Sequence, residues 1–218
     1  MVVSEVKVKI CGITTMEAAI TASKAGADFI GFVFANSRRR ITPSAAKIIA
    51  NYIPDNVKKV GVFVNESPQN INKIASKVGL DYVQLHGDES PTFCTKMQLP
   101  VIKAFRVIDK QSVYKLAAYH CDYYLLDSAA GPYRGGNGTT FNWYITNHED
   151  IRKEKLILAG GLTEQNVEDA IRIVQPAVID VSSGVETDGK KDIGKIKRFV
   201  QKAKEIADQF SIEGERHR

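Results

Sequence analysis

Short runs of apolar and β-branched residues recur eight times along the chain, and each is followed by a segment whose apolar positions fall at helical spacing. The runs lie near 6–11, 28–34, 58–65, 82–86, 101–107, 123–127, 155–159 and 177–182. Strand and helix alternating in this way mark parallel βα units. Eight of them predict an α/β fold, a closed (β/α)8 barrel. An open doubly wound sheet would carry fewer strands and a glycine fingerprint after the first, and no Gly-x-Gly-x-x-Gly follows residue 11. Thr14 or Thr15 can cap the first helix, and Thr42-Pro43, Ser67-Pro68 and Ser90-Pro91 each give a cap with proline at the first helical position. Gly26 and Gly79 sit where helices should stop. We expect one barrel domain over residues 1–210 and a polar, flexible tail over 211–218, beyond the last helix.

Side chains alternate between the two faces of a strand, so the apolar pattern also sorts them. Val6, Val8 and Ile10 must meet the helix layer, which turns Lys7, Lys9 and Cys11 inward. By the same rule Gln84, His86, Asp127 and Asp180 point inward while Val83, Leu85, Leu126, Ile179 and Val181 point out. Polar groups therefore collect inside, toward the C-terminal strand ends, where barrels carry their chemistry. Lys and Asp are seldom buried without partners, so the interior must hold ion pairs, water or a site.

The stretch from Leu156 to Glu186 is where two strands end in glycine turns, Ala159-Gly160-Gly161 and Ser182-Ser183-Gly184. Without a Cβ, backbone N–H groups can crowd round an anion, and a helix starting near Thr163 would add donors and a positive dipole end. Either turn by itself can be a plain tight turn. Two in succession after the last two strands predict a phosphate cup at Gly160, Gly161, Ser183 and Gly184.

Three further features lie on the same rim. Cys11 ends the first strand just before Gly12, with Lys9 below it as a source of positive potential; a lone inward cysteine is more often a small buried apolar group, and position is what lifts this one. Asp127 is followed by a long loop with Gly131, Gly135, Gly136 and Gly138, well beyond the usual span of about 2 to 6 residues for such a connection. That loop reads as a lid, with a disordered insertion as the plain alternative. In Arg38-Arg39-Arg40, placed on the rim opposite the cup, one guanidinium can clamp a carboxylate through two parallel hydrogen bonds. His86 and Asp180 complete the inward polar set and can equally be structural.

Composition narrows the classes. The chain of 218 residues has a formal charge of +5, but Lys and Arg are interleaved with acids, not clustered on one face with aromatics between, so no nucleic-acid partner is expected. No apolar run approaches a membrane span and the N-terminus lacks an apolar signal core, so a cytoplasmic protein with no membrane partner is expected. Three cysteines, an odd number without metal-ligand spacing, argue for thiols and against disulfides or zinc. The chain's own start and polar tail favour a free-standing protein.

Seven motifs in register then resemble the N-(5'-phosphoribosyl)anthranilate isomerase family over nearly the whole chain. They are Lys9-Ile-Cys-Gly-Ile-Thr14, Gly31-Phe-Val-Phe34 with Ser37 to Pro43, Val60-Gly-Val-Phe-Val-Asn65, Gln84-Leu-His-Gly87, Leu126-Asp-Ser128 with Gly135-Gly-Asn-Gly138, Ala159-Gly-Gly-Leu162, and Asp180-Val-Ser-Ser-Gly-Val-Glu186. The resemblance implies an Amadori rearrangement without cofactor or metal in tryptophan biosynthesis. It implies Cys11 as general base, Asp127 as general acid and Arg39 at the anthranilate carboxylate, with His86 and Asp180 beside the substrate and phosphate on the four turn residues. Arg38 and Arg40 depart from the proline and aromatic often found there, and Asn137 from a small lid residue. The implied partner is a small phosphoribosyl substrate, with the protein a monomer or homodimer. Alternative readings are another cofactor-free phosphosugar aldose-ketose isomerase on the same barrel, or a non-catalytic phosphate-binding barrel.

Overall fold

The computed structural model describes residues 6–109, 111–128, 140–147 and 151–216, with side chains through residue 206. Eight parallel strands close into a ring: β1 (Lys7–Cys11), β2 (Phe29–Val33), β3 (Lys58–Phe63), β4 (Tyr82–Leu85), β5 (Val101–Val107), β6 (Tyr123–Ser128), β7 (Leu156–Leu158) and β8 (Val178–Val181). β8 returns to pair with β1, with Lys9 opposite Asp180 and Ile10 opposite Val181. Outside lie α1 (Met16–Ala25), α2 (Pro43–Ala50), α3 (Pro68–Val78), the single turns α4 (Pro91–Cys94) and α5 (Gln111–Tyr114), α6 (Val167–Val174) and α7 (Ile193–Arg216). Between β8 and α7 stands a small antiparallel hairpin, β9 (Glu186–Thr187) and β10 (Lys190–Lys191).

The caps sit where the sequence puts them. Thr15, Thr42, Ser67 and Ser90 accept from the N–H groups of Ala18, Ala45, Asn70 and Phe93, three residues on, and in the last three proline follows the cap. A second local device repeats at the opposite end of the barrel. Asp28, Asp81 and Asp122, each just before an even-numbered strand, accept from the backbone N–H of Val8, Lys59 and Val101 on the preceding odd strand. Each carboxylate satisfies a donor that the ladder leaves open at the strand start.

Two apolar layers follow from the alternation. Val8, Ile10, Ile30, Phe32, Val83, Leu85, Leu126, Leu158, Ile179 and Val181 pack outward against Ala18, Ile49, Ile71, Val78, Ile171, Val174 and Phe199. Inward, Phe29, Val60, Ile102, Ala104, Leu125, Ile157 and Val178 fill the barrel. Phe29, Tyr82 and Tyr123 meet edge to face at 5.8, 6.3 and 6.0 Å between centroids and plug the N-terminal end. Among the described residues the barrel is thus packed below and opens at the C-terminal rim.

Two boundaries differ from the sequence reading. The last helix continues past Ser211 to Arg216, because no proline interrupts the stretch and Glu213, Glu215 and Arg216 are sound helix formers that offset the single Gly214. α6 begins at Val167 and not near Thr163. The Asn166 side chain accepts from the Thr163 N–H at 2.8 Å and donates to the Gly161 carbonyl at 2.9 Å, holding the intervening residues in a turn.

One buried pair stiffens the rim. Lys103 on β5 turns outward, and its ammonium meets the Leu85, Gly87 and Ala104 carbonyls and the Glu89 carboxylate at 2.9–3.2 Å. Glu89 also accepts from the N–H groups of Asn65 and Gly87, tying the loops after β3 and β4 together beside His86. Glu89→Ala strands both a buried ammonium and these amides, and should cost about 3–5 kcal/mol. Lys103→Met leaves Glu89 its amide partners and should cost less. Urea-unfolding midpoints of the two variants measure the difference, and equal losses would contradict this account.

Candidate active site

A cavity of about 630 Å³ opens at the C-terminal rim, lined by Cys11, Arg39, Gln84, His86, Asp127, Gly160, Gly161, Asp180, Ser182 and Ser183 among others. The strand ends deliver these groups because the pleat turns every second residue inward. The lid glycines 131, 135, 136 and 138 and Asn137 lie outside the described residues.

Cys11 is buried at the end of β1. Burial pushes its thiol above the ordinary value, and the positive charges of Lys9 and Lys191 oppose that rise only in part. Lys9 is completely buried, with Nζ 3.0 Å from Asp180 Oδ2. Burial works against its charge, yet Asp180 and Cys11 outweigh it and the ammonium is held above the usual lysine value. A cation therefore lies directly beneath the sulfur.

Asp127 is the penultimate residue of β6, three strands from β1 round the ring, and is buried too. His86 Nε2 stands 3.4 Å from its Oδ2, and Gln84 bonds His86 Nδ1 at 2.9 Å, fixing the ring. Gly160, at φ +87°, backs directly onto this carboxyl group: a Cβ there would lie 2.8 Å from Asp127 Oδ1 and 2.5 Å from the Ser128 nitrogen. Only glycine permits both the left-handed backbone and the approach.

Among the described residues, the backbone N–H groups of Gly160, Gly161, Ser183 and Gly184 donate to no protein acceptor. The donors come from the turns themselves, since α6 starts too late to present its N-terminus there, which corrects the expectation of a helix start near Thr163. Buried polar atoms without a hydrogen-bond partner among the described residues gather at the same place: Gln84 Oε1, His86 Nε2, Asp127 Oδ1, Ser128 Oγ and Asp180 Oδ1. Native interiors rarely tolerate such groups, so their convergence marks a ligand site.

Within the arginine run, Arg38 and Arg40 are exposed and Arg39 is buried. Gly12, at φ +79°, makes room for it: a Cβ there would lie 2.6 Å from Arg39 Cδ. Arg39 is not opposite the cup, as the sequence suggested, but beside it. Its Nε and Nη2 bind Glu186 Oε1 and Oε2 at 2.6 and 2.9 Å, just past the Ser183-Gly184 turn. β2 adjoins β1, which adjoins β8, so the loop after β2 has only one strand end to cross. Glu186 and Lys191 were missed by sequence reasoning. The Asp188-Gly189 turn that places them was a hairpin signal open to reading, since Asp-Gly favours a tight turn with both residues at positive φ.

The family model for N-(5'phosphoribosyl)anthranilate (PRA) isomerase matches residues 8–202. The N-(5'-phosphoribosyl)anthranilate isomerase of Bacillus mycoides is 54% identical over 202 residues, 92% of this chain and 99% of that protein. The Bacillus cereus (strain B4264) enzyme of the same name is 52% identical over 203 residues, with the same coverage. Among solved structures, the Thermotoga maritima phosphoribosyl anthranilate isomerase superposes with TM-score 0.85 at 43% identity, covering 92% of this chain and 99% of that one. A phosphoribosyl anthranilate isomerase in complex with reduced 1-(o-carboxyphenylamino)-1-deoxyribulose 5-phosphate superposes with TM-score 0.82 at 41% identity and the same coverage. Matched along most of its length in sequence and in fold, the chain belongs to the N-(5'-phosphoribosyl)anthranilate isomerase family.

Proposed function

We propose that this chain converts N-(5-phosphoribosyl)anthranilate to 1-(2-carboxyphenylamino)-1-deoxyribulose 5-phosphate, with Cys11 as general base and Asp127 as general acid. The observation that carries the assignment is one thiol and one carboxyl group lining a single cavity beside two turns with unspent N–H groups. The phosphate sits on Gly160, Gly161, Ser183 and Gly184, where fixed amide dipoles replace its water. Arg39 takes the anthranilate carboxylate on the guanidinium edge that Glu186 leaves open. His86 and Asp180 border the sugar between them.

The chemistry follows from two protons. Asp127, protonated, gives its proton to the ribose ring oxygen; the C1'–O bond breaks and a Schiff-base cation forms between C1' and the anthranilate nitrogen. That cation acidifies C2'–H, and the Cys11 thiolate removes this proton, giving an enolamine that tautomerises to the ketone. Lys9, beneath the sulfur and held charged by Asp180, favours the thiolate during this step. All these groups come from one chain, which suits a monomer or a homodimer equally. The Thermotoga maritima relative is described as dimeric, with monomers generated from it. We place the reaction in the cytoplasm, a reading supported by three cysteines that remain free thiols.

Cys11→Ala and Asp127→Asn should each lower kcat by about 10²–10⁴ while a reduced product analogue still binds. Loss of substrate fluorescence measures turnover, and wild-type-like rates in either variant would refute the roles. Arg39→Ala should raise KM with kcat less affected, whereas Arg40→Ala should change neither by more than about twofold; the opposite pattern would move the carboxylate to another arginine.

The pH dependence has a defined sign. The working form carries one proton on the pair, on Asp127 and off Cys11. The raised thiol value keeps the thiol from losing its proton through neutral pH, so kcat/KM should show no limb from Cys11 there. Above the thiol's pKa the remaining proton is lost, no acid is left, and the rate should fall about tenfold per pH unit. That alkaline limb should lie above the ordinary thiol value of 9.0. A limb well below it would contradict the assignment.

A further inference from the structure

Resting on those roles for Cys11 and Arg39, we propose that Glu186 and Lys191, facing each other across the hairpin β9–β10, are positioning residues. Glu186 aims Arg39 at the substrate, and Lys191 holds a second positive charge against Cys11.

Lys191 pairs directly with Glu186 in the hairpin register, so both side chains stand on one face, and that face meets Arg39 and Ser182, which line the barrel mouth. The Glu186 side chain is 5% exposed and takes four donors: Arg39 Nε and Nη2, Arg38 Nη2 at 3.2 Å, and Lys191 Nζ at 2.7 Å. The Lys191 side chain is 4% exposed, and its Nζ also donates to the Ser182 carbonyl at 2.8 Å and to Ser182 Oγ at 3.3 Å. Ser182 Oγ in turn donates to the Cys11 carbonyl at 3.1 Å. A continuous chain of contacts thus runs from the guanidinium through carboxylate, ammonium and hydroxyl to the strand end that carries the sulfur.

Charge decides what this chain can do. Three cations meet one carboxylate here, and two of them, Arg39 and Lys191, are nearly buried. A purely structural pair would balance. The surplus is tolerable only where an anion arrives, and two candidates are at hand: the substrate carboxylate on Arg39 and the thiolate of Cys11 beside Lys191. Burial lowers the Lys191 ammonium below the usual lysine value, while Glu186 and then Cys11 pull it back up. The charged groups around the sulfur are Lys9 on β1, Asp180 on β8 and Lys191 on β10, with Asp127, His86 and Arg39 lining the same cavity. Lys9 is balanced by Asp180 alone, whereas Lys191 shares the single carboxylate of Glu186 with Arg39 and Arg38, so the surplus positive charge next to the end of β1 lies on the Lys191 side.

The test is the pH dependence of Cys11 alkylation by iodoacetamide, with Cys11→Ala subtracted as the blank for Cys94 and Cys121. Lys191→Met should move the alkylation midpoint up by about one pH unit, which is about tenfold slower alkylation at a fixed pH below it. Lys191→Arg should restore it to within about twofold. Glu186→Gln should raise KM about tenfold with a smaller change in kcat, because Arg39 is no longer aimed. If Lys191→Met does not fold, Lys191→Gln carries the same measurement. An unmoved midpoint in the folded variant, or equal damage from Met and Arg, would reduce the hairpin to a structural support and overturn the inference. Turnover by Cys11→Ala would instead overturn the catalytic roles and leave the alkylation result standing on its own.

Discussion

The buried ion pair between Lys9 and Asp180 is the contact on which the arrangement turns. It spans the seam where the last strand meets the first, with the two residues directly opposite in the register. An ammonium without any exposure is tolerable only beside a carboxylate, so the interior chemistry of the two strands fixes how they must align. A slip of one residue would turn Lys9 into the apolar layer and Ile10 into the cavity. The same alignment sets Cys11 above a positive charge and brings the turn after β8 to the rim beside it.

Glycine then determines how closely the working parts approach one another. At Gly160 the first glycine turn lies against Asp127, and at Gly12 the stem of Arg39 lies against the end of β1. Neither contact leaves room for a side chain. The Cys11 thiol, the Asp127 carboxyl group, the glycine turns and the Arg39 guanidinium therefore share one small cavity above a barrel whose other end is closed by three aromatic rings. Below the rim the packing is apolar and interdigitated, and unpartnered polar atoms are concentrated at the mouth, where a ligand can satisfy them.

Electrostatics at the mouth is asymmetric. On the side of β8 and its hairpin the charges are cationic and tied into a network through Glu186 and Asp180; on the side of β6, Asp127 faces only His86 among the described groups. An anionic ligand is drawn to the first side, and the acid role proposed for Asp127 falls on the second. Separation of binding charge from the acid keeps each from neutralising the other.

The sequence by itself determined the repeat, the placement of all eight strands, the inward face of β1, β4, β6 and β8 and the caps that start the early helices. These are set by period-two alternation and by short-range hydrogen bonds such as Thr42 to Ala45, which need no knowledge of the rest of the chain. It also determined that Cys11, Asp127 and the two glycine turns share a rim, because strand ends and faces suffice for that. Tertiary structure decided the remainder: that Arg39 binds Glu186, 147 residues away, that Lys103 is buried on Glu89, and that His86 stands against Asp127. A charged side chain carries no period and no cap signal. Its partner is whatever the closure of the ring brings within hydrogen-bonding reach, and only the closed ring contains that distance.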